Sequence, residues 1–192
     1  MRQPMEDGHV VISRARERVK FPSRFMLVAA ANPCPCGYYG DKTRECSCTT
    51  MQILKYQKRI SGPLLDRIDI HIDVPAVDVK KITSENSEDG EDSGAVRKRV
   101  EKARQKQLKR FKDKKIITNS DMSAKDIKTL LEIDKDAKEI LRNAVTKLSL
   151  SARSYHKVIK VAATIADLAG SETIKSEHVL EALQYRPKTT GD

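Results

Sequence analysis

Apolar positions along the first part of the chain follow two different spacings. The segments Val10 to Ile12 and Val19 to Phe21 predict the two arms of a hairpin, and Met51 to Ile60 predicts a short helix. A continuous apolar run from Phe25 to Ala31 is typical of a strand buried on both faces. From Ile68 to Val74, apolar and polar residues alternate, which predicts a strand with one buried face. Strand, helix and strand in this order indicate the end of an α/β sheet whose earlier strands are missing.

The second part of the chain shows helical spacing throughout. Three amphipathic runs each follow a residue able to cap a helix, namely Ser123, Asp134 and Ser151. Gly170 is placed to end the third of these helices. A last helix is predicted from about Ser176 to Gln184. Residues 95 to 186 are therefore predicted to form a small helical bundle.

Charge marks a boundary between the two parts. Residues 83 to 94 contain five acids, no base and no large apolar side chain, so they are predicted to form a flexible loop. Residues 95 to 115 then carry eleven Lys or Arg together with a narrow apolar stripe of Val96, Val100, Ala103, Leu108 and Phe111. We therefore predict an α/β part from 1 to 82, an acidic loop from 83 to 94 and a helical domain from 95 to 192.

Composition narrows the class of protein. The chain has 192 residues, of which 39% are hydrophobic, and this is enough for a modest core. No apolar run approaches the ~18 residues that a membrane span requires, and the first residues lack the apolar core of a signal peptide. We therefore expect a cytoplasmic protein that has no membrane association. The net charge of +10 indicates an acidic partner such as nucleic acid or nucleotide.

The four cysteines form two close pairs, Cys34 with Cys36 and Cys46 with Cys48, all within fifteen residues. In a cytosolic chain, four thiolates brought together by a turn rich in Gly, Pro and Asp suit a tetrahedral zinc site. Both pairs have the spacing C-x-C, whereas the common ligand pair is C-x-x-C, so free or redox-active thiols are the alternative. A bound zinc would be structural, because four protein thiolates leave no position for a water molecule.

Several long motifs resemble one group of ATPases. They are Glu6-Asp7-Gly8, Ile12-Ser13-Arg14, the run from Ala31 to Tyr38, the run from Ile60 to Ile72 and the segment from Leu150 to Arg186. Together these motifs resemble the carboxy-terminal half of the magnesium-chelatase-like AAA+ ATPases, in the bacterial competence-associated group. The resemblance implies an α/β AAA+ ATPase fragment with a partial parallel sheet, a presensor hairpin and a four-cysteine insertion, followed by an all-α lid bundle.

The resemblance also implies a homo-oligomeric ring, expected to be a hexamer, that uses ATP and Mg²⁺. The phosphate-binding loop of such ATPases, G-x-x-x-x-G-K-[ST], does not occur in the 192 residues. In this family it belongs to the amino-terminal part. We therefore expect the full-length protein to be an ATPase and DNA helicase, and the present chain alone to be inactive.

Three side chains match nucleotide-sensing positions of that family. Asn32 matches sensor 1, where a carboxamide orients the attacking water and contacts the γ-phosphate. Arg67 resembles the arginine finger, which acts on nucleotide held by the neighbouring subunit. Arg153, in the first turn of its predicted helix, resembles sensor 2 of the lid. The alternatives are an Asn32 that opens a turn, an Arg67 paired with a nearby Asp, and a solvated Arg153.

Basic side chains at the predicted hairpin tip, Arg14, Arg16 and Arg18, suit contacts with DNA phosphates, and so do those between 97 and 115. The favoured hypothesis is an ATPase that remodels DNA by branch migration during natural transformation. The same fold in a metal-insertion complex of tetrapyrrole synthesis is one alternative. A zinc-bearing nucleic-acid-binding module without catalysis is another.

Overall fold

The structure is a computed structural model that describes residues 2–14, 17–41, 43–75 and 90–187. The chain divides into two compact units, Met1–Val77 and Asp78–Asp192. Residues 83–89 of the predicted acidic loop lie outside the described residues. The last two residues of that predicted loop, Ser93 and Gly94, already belong to a helix.

The described residues of the first unit form a hairpin and three short helices. Helix α1 (Arg2–Asp7) leads into β1 (His9–Arg14) and β2 (Glu17–Pro22), which pair antiparallel along their whole length. The predicted hairpin arms are therefore confirmed. Helix α2 (Thr50–Gln57) confirms the helix predicted over Met51 to Ile60, with an earlier end. Helix α3 (Gly62–Leu65) is a single turn with Pro at its start.

The two further strands predicted for this unit do not form. Residues 25 to 31 have no regular structure, and Met26 and Val28 are 88% and 81% exposed. Residues 68 to 74 are also irregular, and Ile72 is 68% exposed. A strand needs a neighbour to satisfy its backbone N–H and C=O groups, and no described segment pairs with either of these. The predicted partial parallel sheet is therefore wrong for this structure, whose described sheet consists of β1 and β2 alone.

The second unit is helical, as predicted. It contains α4 (Ser93–Arg110), a 3₁₀ turn (Asn119–Asp121), α5 (Ala124–Leu130), α6 (Lys135–Lys147), α7 (Ala152–Leu168) and α8 (Ser176–Gln184). The predicted caps are confirmed, because Ser123, Asp134 and Ser151 each accept a backbone N–H in the first turn of their helix. Gly170 follows α7 with φ of +78°, the left-handed conformation that favours glycine at a helix end.

Helix α7 carries the largest share of the core of this unit. It packs against α4, the 3₁₀ turn, α5 and α8. Its buried side chains are Val158, Ile159, Ala162, Ala163 and Ala166. Helix α6 packs on α8 through a narrow face, since Val145 and Leu148 are 37% and 50% exposed.

The inward face of α4 also differs from the predicted apolar stripe. Val100 and Leu108 are 45% and 55% exposed, whereas Gln107 is 3% exposed. The cost of burying the Gln107 amide is offset because it donates to Asp167 Oδ2 of α7 at 3.3 Å. Part of the contact between α4 and α7 is thus polar where an apolar contact was predicted.

Asp167 is the centre of a buried polar network. Its Oδ2 atom accepts from Asn119 Nδ2 at 2.8 Å and from Arg110 Nη1 at 3.0 Å, and its Oδ1 atom accepts from Arg110 Nη2 at 2.5 Å. Asn119 also accepts from Arg110 Nη1 at 2.8 Å and donates to Thr164 Oγ1 at 3.1 Å. These bonds join α4, the 3₁₀ turn and α7 through one carboxylate.

Among the described residues, no helix is both long enough and apolar enough to cross a membrane.

Substitution of Asp167 is expected to destabilise the second unit strongly. The Asp167 side chain is fully buried and that of Arg110 is 16% exposed. Asp167→Ala would leave the guanidinium partly buried without its carboxylate, so we expect the free energy of unfolding to fall by about 3–5 kcal/mol. Urea unfolding followed by circular dichroism measures this change.

The matched control is Glu91→Ala, which removes the exposed carboxylate that pairs with Arg99 at 2.6 Å. Both side chains of that pair are about half exposed, so the expected loss is about 0–1 kcal/mol. Equal losses in the two variants would contradict the central role of the buried network.

Candidate metal centre and candidate nucleotide residues

The four cysteines come together on the loop that precedes α2. Their Sγ atoms lie 3.3 Å apart for Cys34 and Cys36, 3.7 Å for Cys34 and Cys46, and 3.5 Å for Cys36 and Cys46. All four sulfurs, including that of Cys48, lie within 4.8 Å of one another. Cys34 is fully buried and the other three are half-buried. The C-x-C spacing thus allows the four predicted ligands to converge.

The spacing of the sulfurs fits a tetrahedral metal ion. Zn–S bonds of ~2.3 Å place neighbouring sulfurs ~3.8 Å apart at the corners of a tetrahedron. The three distances above lie close to this value, and all four cysteines are free. Four soft thiolate donors favour Zn²⁺ over Mg²⁺ or Ca²⁺, which prefer oxygen ligands. This cluster is therefore a candidate metal site whose donor set fits zinc.

Local turns and helix α2 hold the cysteine loop in place. Gly37, with φ of +87°, donates its N–H to the Cys34 carbonyl at 3.1 Å. Asp41 Oδ1 accepts from the N–H groups of Thr43 and Arg44 at 2.6 Å and 3.1 Å, which closes a second turn. At the other end, the side chain of Gln57 on α2 donates to the Pro33 carbonyl at 3.2 Å. This bond ties the start of the cysteine loop to α2, the helix that follows the loop.

The thiols differ in acidity. The backbone N–H of Tyr38 and the thiol of Cys34 donate to Cys36 and lower its pKa to about 5. The pKa of Cys46 is raised to about 12. A hydrogen bond from the Cys48 backbone lowers that pKa, but burial and the hydrogen bonds to Cys36 and Cys34 outweigh it. In the absence of a metal ion, Cys36 is therefore the thiolate of the group and Cys46 remains protonated at neutral pH.

Aromatic and basic side chains surround the cluster. The Arg44 guanidinium lies 4.1 Å from the ring centre of Tyr38, and that of Arg59 lies 5.8 Å from the ring centre of Tyr56. Tyr56 and Arg59 line an open depression together with Cys36 and Cys48. Three of the five tyrosines of the chain fall between residues 38 and 56. This clustering of tyrosines near arginines is the sequence signal that could have predicted the two arginine–tyrosine contacts.

Asn32 and Arg67 do not occupy the strand ends that the sequence predicted. Asn32 is exposed and lies in an irregular segment directly before the cysteine loop. Arg67 follows α3, is half-buried and donates to the Pro63 carbonyl one helical turn earlier. Both strands that were to position them are absent. Their roles as sensor 1 and arginine finger stay predictions.

Arg153 lies where the sequence places it, as the second residue of α7. Ser151 caps this helix by accepting the Ser154 N–H at 3.1 Å, which fixes the first turn. The Arg153 side chain is exposed. Arg153 belongs to the second unit, whereas Asn32 and Arg67 belong to the first.

Two of the three basic residues predicted at the hairpin tip are described. Arg14 ends β1 opposite Glu17, and Arg18 of β2 lies opposite Ser13 and donates to its hydroxyl at 3.3 Å. Both arginines are exposed. Arg16 lies outside the described residues.

Comparison with known proteins covers both units. Residues 1–82 match the family model described as magnesium chelatase, subunit ChlI, and residues 90–186 match the model of its C-terminal domain. The chain belongs to the magnesium chelatase ChlI family. The resemblance inferred from the motifs is thereby confirmed.

Similar ChlI-family proteins occur in several bacteria. The competence protein ComM of Haemophilus influenzae is 43% identical over 97% of the chain, and the uncharacterized protein YifB of Escherichia coli is 37% identical over 97%. An uncharacterized protein of Mycobacterium tuberculosis is 32% identical over 97% of the chain. The chain spans only 35% to 36% of the length of these relatives. It therefore corresponds to one portion of a ComM-like protein, within the competence-associated group.

The metal site leads to a first prediction. The purified protein is expected to contain about one zinc per chain, and Cys36→Ser combined with Cys46→Ser is expected to release it, because two thiolate ligands are lost. Elemental analysis measures the metal. Ser47→Ala, an exposed change between Cys46 and Cys48, is the control that should retain zinc. Protein prepared without chelators that holds no metal and has four freely titrating thiols would exclude the site.

The unequal acidity of the thiols gives a second prediction. In metal-free protein at pH 7, the pKa of about 5 keeps Cys36 as thiolate, whereas the pKa of about 12 keeps Cys46 protonated. Iodoacetamide should therefore alkylate Cys36 at least about tenfold faster than Cys46. Mass spectrometry of the peptides at successive times measures both rates. Equal rates would show that the hydrogen bond from Tyr38 does not stabilise the Cys36 thiolate.

Proposed function

We propose that the chain is the carboxy-terminal portion of a ring-forming ATPase that couples the hydrolysis of ATP with Mg²⁺ to DNA remodelling. Membership in the ChlI family across both units supports this proposal. The 43% identity to a protein named for competence favours the natural-transformation group, and within it branch migration is the activity that we propose. The ring is a homo-oligomer, with six subunits as the expected number.

The position of Arg153 is the observation that carries the nucleotide proposal. The amino end of a helix bears partial positive charge, so a cation in the first turn is disfavoured unless an anion lies nearby. Arg153 stands in the first turn of the 17-residue helix α7. A γ-phosphate held by the same subunit would be such an anion, and its loss on hydrolysis would free the lid to move.

Arg67 is proposed to complete the site of the neighbouring subunit. A guanidinium remains charged and bridges two phosphate oxygens as charge shifts in the transition state, an effect of ~10³ to 10⁵ in rate where it has been measured. A hydrogen bond to the Pro63 carbonyl holds the Arg67 side chain at the end of α3. Asn32 is proposed to orient the attacking water of its own subunit.

The metal site has a structural role in this proposal. Cys34, Cys36, Cys46 and Cys48 would hold Zn²⁺ and order the loop that begins directly after Asn32. Because such a site has four protein ligands, no step of the hydrolysis passes through the zinc ion. Arg14, Arg16 and Arg18 are proposed to contact DNA in the pore of the ring.

A role in metal insertion is the alternative within the family. The cysteine cluster and the arginine-rich hairpin favour DNA remodelling, because insertion of Mg²⁺ gives no need for either feature. A zinc-bearing nucleic-acid module without catalysis is the second alternative. Family matches in both units, which bear Arg67 and Arg153, favour the ATPase over that module.

A subunit-mixing experiment on the full-length protein tests the roles of the two arginines. Mixed rings of Arg67→Ala subunits and phosphate-loop mutant subunits should recover ATPase activity, because some interfaces pair an intact finger with an intact loop. Mixed rings of Arg153→Ala subunits and the same loop mutants should recover far less, because every site lacks either its loop or its own lid arginine. Steady-state hydrolysis measures the recovery.

Equal recovery in the two mixtures, in rings shown to contain both subunits, would contradict these roles for Arg67 and Arg153. Wild-type full-length protein without Mg²⁺-dependent hydrolysis would instead favour the module without catalysis.

A further inference from the structure

Seven of the eleven basic side chains between residues 95 and 115 fall into two groups. One group is engaged within the second unit. Arg110 binds Asp167, Lys106 pairs with Glu172 at 2.8 Å, Arg99 pairs with Glu91 at 2.6 Å, and Lys114 pairs with Asp126. Lys106 also donates to the Gly170 carbonyl at 2.7 Å. These four cations thus have acidic partners within the second unit.

The second group is a strip of three lysines, Lys98, Lys102 and Lys109. All three are exposed, and among the described residues no hydrogen bond or ion pair joins their side chains. At about 100° per residue they lie within about 40° of one another around the helix. Buried Ala103 and Gln107 lie on the opposite side. The lysine strip therefore points away from the bundle that α4 packs on.

In the described part of the chain, no acidic side chain forms an ion pair with the lysine strip. Glu101 is the one acid of α4, and no ion pair connects it to a lysine of the strip in the described part of the chain. Gln105, which is exposed, lies between Lys102 and Lys109 on the same side. Three like charges on one line repel each other mutually, so a binding partner with repeated negative charge would lower their energy.

The chemistry of the strip selects among acidic partners. Lys is depleted from protein–protein interfaces, and the strip has no apolar side chain to form the centre of one. An anionic membrane surface would require an apolar face to insert, but the apolar face of α4 packs against α7. Single-stranded DNA is commonly held by aromatic stacking, and the strip has no aromatic residue. Binding to the backbone of a duplex requires only cations that neutralise its phosphates.

We propose that the lysine strip of Lys98, Lys102 and Lys109 binds the phosphate backbone of double-stranded DNA. At 1.5 Å per residue the lysines are separated by about 6 Å and about 10 Å along the helix axis. A duplex carries one phosphate charge per about 1.7 Å of its axis, so a strip of this length faces several phosphates. This contact rests on the proposed function of DNA remodelling, and it adds a duplex-binding surface to the arginines of the hairpin.

The test measures DNA binding by the whole chain with fluorescence anisotropy over a series of salt concentrations. The variant K98Q/K102Q/K109Q is compared with K125Q/K128Q/K138Q, which removes three exposed lysines from α5 and α6 and has the same net charge. For a duplex of about 30 base pairs, the strip variant should bind at least about tenfold more weakly, and its slope of log K against log salt should flatten by about 2 to 3. The control variant should match the wild type.

A single strand of equal length separates the two basic surfaces. Its affinity should fall in Arg14→Gln/Arg18→Gln and stay unchanged in the strip variant. Equal weakening of duplex binding in the strip and control variants would overturn the proposal, because net charge alone would then explain binding. Failure of the wild-type chain to bind duplex would also overturn it, as would an equal loss of single-strand binding in the strip variant. None of these measurements uses ATP hydrolysis, so they are independent of the outcome of subunit mixing.

Discussion

The second unit depends on the satisfaction of one buried carboxylate, that of Asp167. A buried charge is costly unless it is paired and hydrogen-bonded, and the partners of Asp167 come from α4 and the 3₁₀ turn. Those elements must therefore be in place before α7 can bury its last turn. The network also fixes the rotation of α4, because Gln107 and Arg110 reach Asp167 only from one face of that helix.

That fixed rotation decides which side chains of α4 meet solvent. Ala103, Gln107 and Phe111 face inward, so the side that carries Lys98, Lys102 and Lys109 faces outward. A helix with so many cations has too few apolar side chains to be held in place by hydrophobic burial alone. The hydrogen bonds of Gln107 and Arg110 to Asp167 stabilise the contact with α7 in addition to the narrow apolar face. The three lysines of the strip lie on the exposed side. The structural role and the proposed DNA-binding role of the charge on α4 are thus separated by position around one helix.

The sequence predicted features that depend on neighbouring residues and missed those that depend on distant ones. The caps at Ser123, Asp134 and Ser151 and the last helix from Ser176 to Gln184 follow from local hydrogen bonding, and the structure confirms them. The convergence of four cysteines followed from a short loop with turn residues. The strand predicted over 25 to 31 failed because strand formation needs a partner, which local patterns do not reveal. Gln107 was missed because a polar residue at a helical core position is informative only together with its partner, Asp167.

The first unit has very little buried apolar surface to stabilise it. Among its described residues, only Cys34 and Ile53 are buried and apolar. Such a small core offsets only part of the conformational entropy of ordering the loop from Pro33 to Thr49. Four thiolates on one metal ion would add to the hydrogen bonds of the loop, since structural zinc contributes about 10–16 kcal/mol in small domains at neutral pH. The exposed apolar side chains at Met26, Val28 and Ile72 belong to segments that the sequence predicts as strands, and partner strands would bury them. A metal ion at the four thiolates would order the loop locally, whereas Asn32 and Arg67 lie next to segments whose predicted strands do not form in this structure.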